Sequence, residues 1–186
     1  MRFETTEIEG AFVIDLEPIG DDRGFFARSY CADEFARNGI DAVFVQENVG
    51  FSHRRGTMRG LHFQHPPHDE VKLVRCTRGS VWDVALDLRP RSGSAGRWVG
   101  VELAGDNHRM LVVPEGCAHG YLTLTDGAEV RYLTSRPYAP EAADGVRYDD
   151  PAFAIAWPVA VEVVSEQDRS WALRGAVDHT RSEATP

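Results

Sequence analysis

The stretch from Arg59 to Asp83, RGLHFQHPPHDEVKLVRCTRGSVWD, opens on an arginine and gathers three histidines and a lysine around a Pro-Pro break. Imidazole exchanges protons near neutral pH, and an ammonium can hold a developing oxyanion. Together they suit proton transfer beside an oxygen that gathers negative charge. His62 and Lys72 are the residues through which it would pass. A lone strand histidine is ordinarily a packed or edge residue. Lys72 tells more from first principles, because an ammonium within the apolar run VKLV is costly unless it meets an anion or a hydrogen-bond partner.

The elements that must position these residues read as β structure. Short β-branched or aromatic runs at Phe12–Leu16, Val43–Val49, Val71–Cys76, Ser80–Leu88, Trp98–Leu103, Met110–Val113, Gly120–Leu124 and Val130–Thr134 are separated by Gly, Pro, Asp or Ser turns. Even spacing of this kind points to an antiparallel barrel or double-sheet jelly roll. Ala32–Asn38 reads as a short helix ended by Gly39, Gly50–Gly56 as a basic loop, and Ser165–Leu173 as a C-terminal helix start. Strand alternation puts His62 with Gln64, Lys72 with Val74 and Cys76, His119 with Tyr121 and Thr123, and Val130 with Tyr132 and Thr134. Arg59 has the wrong parity for His62, so it is expected in the turn before that strand. The polar members are expected to line a cavity, with Leu61, Phe63, Leu73, Leu122 and Leu124 filling the space between sheets.

Composition bounds the partners. A chain of 186 residues suits one domain over 1–186, and a net charge of −9 disfavours nucleic acid or an anionic membrane. An anionic ligand would therefore have to be met by a local cluster of Arg, Lys or His. The cysteines Cys31, Cys76 and Cys117 form no CxxC, which fits a reducing compartment. The polar N-terminus is unlike a signal peptide, and no apolar run nears the roughly 18 residues of a membrane helix. The expectation is a cytoplasmic protein.

The motifs RGLHFQ, KLVRC-x-x-G-x-x-x-DV-x-x-DLR, PEGCAHGYLTL, Y-x-x-x-x-x-Y-x-P, DDP-x-x-x-I-x-WP and S-E-x-D occur in that order, from about Gly10 to Trp171. In this the chain resembles the dTDP-4-dehydrorhamnose 3,5-epimerase family of sugar-nucleotide epimerases. The resemblance implies an all-β, cupin-type antiparallel jelly roll with short N- and C-terminal helices, working as a homodimer without metal or redox cofactor. It implies His62 as the base, Asp168 as the carboxylate orienting it, Tyr132 as the acid and Lys72 at the enolate oxygen. Asp168 also fits a capping box with Ser165, and both roles can hold together. Phosphate would fall to Arg59 and Arg23, whose planar forks suit its oxygens, with Gln46, Asn48 and Ser52 as lesser contacts. His119 would touch the ligand, and Tyr138 and Phe26 would flank its base and sugar. The family commonly delivers the segment bearing Arg23 to the partner subunit's site.

The implied substrate is a nucleotide-linked 4-keto-6-deoxyhexose, dTDP-linked in this family, epimerised at C3, C5 or both. The chain departs from the family pattern at Arg28, Cys117, Tyr121 and Pro137, positions that bear on which sugar and nucleotide are taken. A mono-epimerase or a 3,4-ketoisomerase would share the fold and ligand class, and a sugar-binding cupin would keep the ligand without a base–acid pair. A metal-dependent cupin needs a His-x-His pair with later Glu and His, but Gln64 stands where the second ligand belongs. His65 and His68 are then expected to be loop residues around Pro66-Pro67.

Overall fold

A computed structural model of the chain describes residues 1–174; the final twelve positions of the expected 1–186 domain lie outside the described residues. The N-terminal part carries β1 (Arg2–Thr5), β2 (Phe12–Asp15), the hairpin β3 (Ile19–Asp21) and β4 (Gly24–Phe26), and helix α1 (Ala32–Arg37). The body follows as β5 (Gln46–Ser52), β6 (Met58–Gln64), β7 (Lys72–Arg78), β8 (Ser80–Asp87) and β9 (Trp98–Ala104). It continues through β10 (Met110–Val113), β11 (Cys117–Thr123), β12 (Ala128–Thr134) and β13 (Ala143–Gly145), and the described residues close with helix α2 (Glu166–Ser170).

The strands make a six-stranded sheet in the order β1-β2-β10-β7-β12-β5 and a five-stranded sheet in the order β13-β6-β11-β8-β9. Every pairing between named strands is antiparallel. This is the jelly-roll architecture expected, with a short helix toward each end. No helix among the described residues is long and apolar enough to cross a membrane.

Between the sheets lies a core that includes Val74, Cys76, Leu111, Val113 and Val130 from one side and Val81, Ala85, Leu103 and Tyr121 from the other. The leucines expected there lie elsewhere. Leu61, Phe63 and Leu122 cover the outer face of the five-stranded sheet, beneath the chain that returns through Tyr148 and Trp157. Leu73 faces outward from the six-stranded sheet and packs with Ile14, Phe35 on α1, and Met110. Alternation forces this result: if Lys72 and Val74 point inward, Leu73 must point outward. Both sheets are therefore apolar on both faces, each outer face being covered by a terminal segment. Leu124 lies just beyond the end of β11.

The expected strand Val43–Val49 instead starts at Gln46 and runs to Ser52, through part of the expected loop. Gly50 is needed for a close approach within that strand, where a Cβ would come within 2.7 Å of the Tyr121 hydroxyl. His65 and His68 lie in the turn after β6, as expected.

Candidate active site

A cavity of about 870 Å³ opens between the sheets. The six-stranded sheet gives it two transverse rows. Lys72 pairs with Thr134 and Thr134 with Gln46; Val74 pairs with Tyr132 and Tyr132 with Asn48. The five-stranded sheet faces them with His62 paired to His119, and Arg59 paired to Tyr121. Lys72, Tyr132, Thr134, Gln46 and Asn48 line one wall, and His62, His119, Arg59 and Tyr121 the other.

Arg59 corrects the parity expectation. It lies within β6, not in a turn before it, and lines the same cavity as His62. Gly60 between them has φ of +121°, and the register on β11 shifts between His119 and Tyr121. Gly60 and Gly120 approach so closely that a Cβ on Gly60 would stand 2.5 Å from the Gly120 Cα. A glycine conformation thus resets the alternation and returns two side chains, three positions apart, to one face.

His62 projects from β6 and remains half exposed, whereas the Asp168 carboxylate is buried. Asp168 Oδ1 lies 2.6 Å from His62 Nε2, and Oδ2 accepts the Gly60 N–H at 3.3 Å. The backbone N–H of Asp168 donates to Ser165 Oγ at 3.0 Å, so Ser165 caps α2 while the aspartate side chain serves the histidine. Burial alone would raise the Asp168 carboxyl, but the His62 hydrogen bond and charge and the Gly60 N–H bring it below the usual carboxylate range. Trp171, just after α2, sets its indole edge-on to the His62 ring at 6.4 Å and lies against Gly145.

Opposite, Tyr132 is largely withdrawn from water. Burial and then the nearby Glu70 charge raise its phenol above the ordinary tyrosine value. Lys72 is buried and bound to Glu70 at 2.6 Å. His119, expected as a ligand contact, sits within β11 with Nε2 at 2.9 and 3.0 Å from the carboxylate oxygens of fully buried Asp83. Burial raises the Asp83 carboxyl, and His119 works against that rise.

Gln46 and Asn48 join through a 3.1 Å side-chain hydrogen bond, and Gln46 Oε1 accepts the Tyr138 N–H at 3.3 Å, placing Tyr138 at the exposed rim. Ser52 lies behind the wall: its Oγ accepts from Arg59 Nε at 3.2 Å, and the Phe51 carbonyl accepts from the same guanidinium at 3.0 Å. Arg23 and Phe26 do not line the cavity of their own chain. They lie on the exposed β3–β4 hairpin, where Arg23 is bound to Asp21.

The sequence motifs do not single out Glu70, Asp83 or Trp171 as site residues. Asp83 carries the signal that picked out Lys72, a charge embedded in an apolar strand, here SVWDVAL. Glu70 stands two positions before the lysine it holds. Among the described residues, no group of three or more His, Cys, Asp or Glu side chains could hold a metal ion.

The sequence profile of the dTDP-4-dehydrorhamnose 3,5-epimerase family matches residues 5–174. The chain belongs to this family. It is 46% identical over 159 residues to the dTDP-4-dehydrorhamnose 3,5-epimerase of Escherichia coli, covering 85% of each chain. Its fold is similar to that of the Bacillus anthracis dTDP-4-dehydrorhamnose 3,5-epimerase solved with TDP and PPi bound, with TM-score 0.89, 39% identity, and 92% and 98% of the respective chains covered. It is also similar to a Legionella pneumophila epimerase solved in complex with dTDP-4-keto-L-rhamnose, at TM-score 0.85 and 38% identity over 91% and 90% of the chains. For a member of this epimerase family, the base, cation and acid expected from the motifs stand around one cavity.

Proposed function

We propose that the protein epimerises a dTDP-linked 4-keto-6-deoxyhexose at C3 and C5, as an isomerase of deoxysugar synthesis. The observation that carries this reading is the arrangement of a carboxylate-backed histidine and a half-buried tyrosine on opposite walls of one cavity, with an ammonium between the sheets. His62 takes the proton from the carbon beside the ketone, and Asp168 stabilises the imidazolium that forms. The C–H electron pair becomes the enolate, whose C4 oxygen is held by Lys72. Tyr132 then protonates the same carbon from the other face, which inverts it. Proton loss at one face and gain at the other balance, so no redox partner is consumed.

Arg59 binds the diphosphate, supported by Ser52 and flanked by Gln46 and Asn48. His119, oriented by Asp83, contacts the sugar, and Tyr138 flanks the ligand at the rim. Arg23 and Phe26 reach the nucleotide of the partner in a homodimer. Their hairpin supports this role, since Ile19, Phe25 and Phe26 are large apolar residues left exposed on it.

Incubation with dTDP-4-keto-6-deoxyglucose in D₂O, followed by NMR, tests the reading. Deuterium at both C3 and C5 is expected. Label at one carbon would reduce the activity to mono-epimerisation, and an unlabelled sugar would overturn the assignment.

A further inference from the structure

The base–acid scheme leaves a buried polar relay beneath Lys72 unused. Glu70 Oε1 meets Lys72 Nζ at 2.6 Å, and Oε2 accepts from Gln64 Nε2 at 2.7 Å. Gln64 in turn accepts the Ala139 N–H at 2.6 Å and donates to the Pro137 carbonyl at 3.3 Å. Glu70, Gln64 and Lys72 are 8%, 5% and 7% exposed, so each would be costly to bury alone. Lys72 Nζ also lies 3.5 Å from the His62 carbonyl.

We propose that Glu70 is a positioning residue: it fixes the Lys72 ammonium between the cavity walls and, through Gln64, couples it to the Pro137–Ala139 segment that carries Tyr138. The proposal rests on the epimerase reading, in which Lys72 meets the enolate. A lysine side chain has many rotamers, and displacement of about 1 Å from a reacting oxygen is enough to cost rate. The carboxylate removes that freedom from one end, and the Gln64 amide fixes the carboxylate from the other. The relay also links the ammonium to the rim, where Tyr138 lies. Other charges bear on this group from the packed elements. Arg59 and His62 face it from β6, and the His119–Asp83 pair from β11 and β8. Arg136 follows β12, and Glu115 precedes β11 near Asp69. None of these lies within ion-pair distance of Lys72 except Glu70, among the described residues.

Glu70→Gln keeps the shape and the hydrogen bond to Gln64 but removes the charge. Expected is a fall in kcat of about tenfold with KM changed by less than about twofold. The alkaline limb of kcat should move to lower pH, because the anion that helps raise the Tyr132 phenol is gone. Glu70→Asp should return that limb toward the parent position, which a merely structural role would not produce. Parental kcat and pH profile in Glu70→Gln would overturn the proposal, as would activity lost only in proportion to folded protein. Labelling Lys72 with acetic anhydride, read by mass spectrometry, separates this from the epimerase reading. If the parent shows no turnover, the epimerase reading fails. Faster labelling of Lys72 in Glu70→Gln then still supports the tether, and equal labelling removes it.

Discussion

Nε2 of His62 stands 2.6 Å from Oδ1 of Asp168, across 106 positions of chain, and the aspartate reaches it from a helix of only five residues. The helix is capped by Ser165, which accepts the Asp168 N–H and so leaves the carboxylate to the histidine and the Gly60 N–H. The backbone N–H of Asp168 thus meets the Ser165 cap while its carboxylate meets His62, so the two contacts are separable.

Asp168→Asn tests that separation. Loss of the charge that favours imidazolium should lower kcat by about 100-fold, in the range general acid–base groups contribute. The cap uses the backbone N–H, so the thermal midpoint should fall by only a few degrees at most, about 1 kcal/mol or less. Full turnover in this variant would dissolve the pairing.

Tyr132→Phe removes the proposed acid and leaves the proposed base, His62, in place. Inversion should slow by about 100-fold. Sugar recovered from D₂O should carry label without inversion, because His62 can return a deuteron to the face it deprotonated. Because burial and Glu70 raise the phenol, the alkaline limb of kcat in the parent enzyme should lie above the ordinary tyrosine value of 10.0. A variant that inverts at the parental rate would place the acid elsewhere.

Arg59 is held by Ser52 and the Phe51 carbonyl against the wall. Arg59→Ala should weaken dTDP binding by about 10- to 100-fold, the equivalent of one or two charge-assisted hydrogen bonds. Arg59→Lys should recover only part of this, since an ammonium lacks the planar fork. Calorimetry with dTDP decides, and unchanged affinity would remove Arg59 from the diphosphate site.

A Cβ on Gly145 would collide with the Trp171 indole. Gly145→Ala should therefore cost about 1–3 kcal/mol and shift the segment that follows α2, lowering kcat as Asp168 moves from His62. Adding Trp171→Leu, which removes the indole, should recover part of the stability. If the single variant matches the parent in both stability and turnover, the indole is not wedged there.

Asp87 is buried, and although burial opposes it, bonds from Arg89, Ser92 and Ser94 bring its carboxyl down to about 2. A folded value below the unfolded one gives stability that is present above the unfolded value near 3.8 and is lost as pH falls toward 2. The contribution is about 2 kcal/mol, or about 4–8 °C in melting midpoint for a chain of this size. Asp87→Asn should lose that amount at pH 6 and show a shallower fall in midpoint between pH 4 and 2. Parental melting at pH 6 would show that this clasp adds no net stability.

Much of the scaffold is legible locally. The apolar runs mark most strand centres, Gly39 ends α1, and Ser165 to Asp168 mark the cap of α2. The ends are less legible, because β5 passes through Gly50, a residue that reads as a loop until Tyr121 is seen against it. The hairpin β3–β4 has too few residues to show alternation.

By itself the sequence determined the strand-rich class and the motif order that marks the family, and through that resemblance it named His62, Tyr132 and Lys72 as candidate base, acid and cation. Strand class and motif order are local or ordered features, legible from side-chain type and spacing along the chain. The tertiary structure decided which faces meet. It sent Leu61 and Leu73 outward, brought Arg59 to the side of His62 through the Gly60 conformation, and joined Glu70 to Lys72 and Asp83 to His119. Alternation is known only within one strand; which face is inside depends on the pairing and packing of strands distant in sequence.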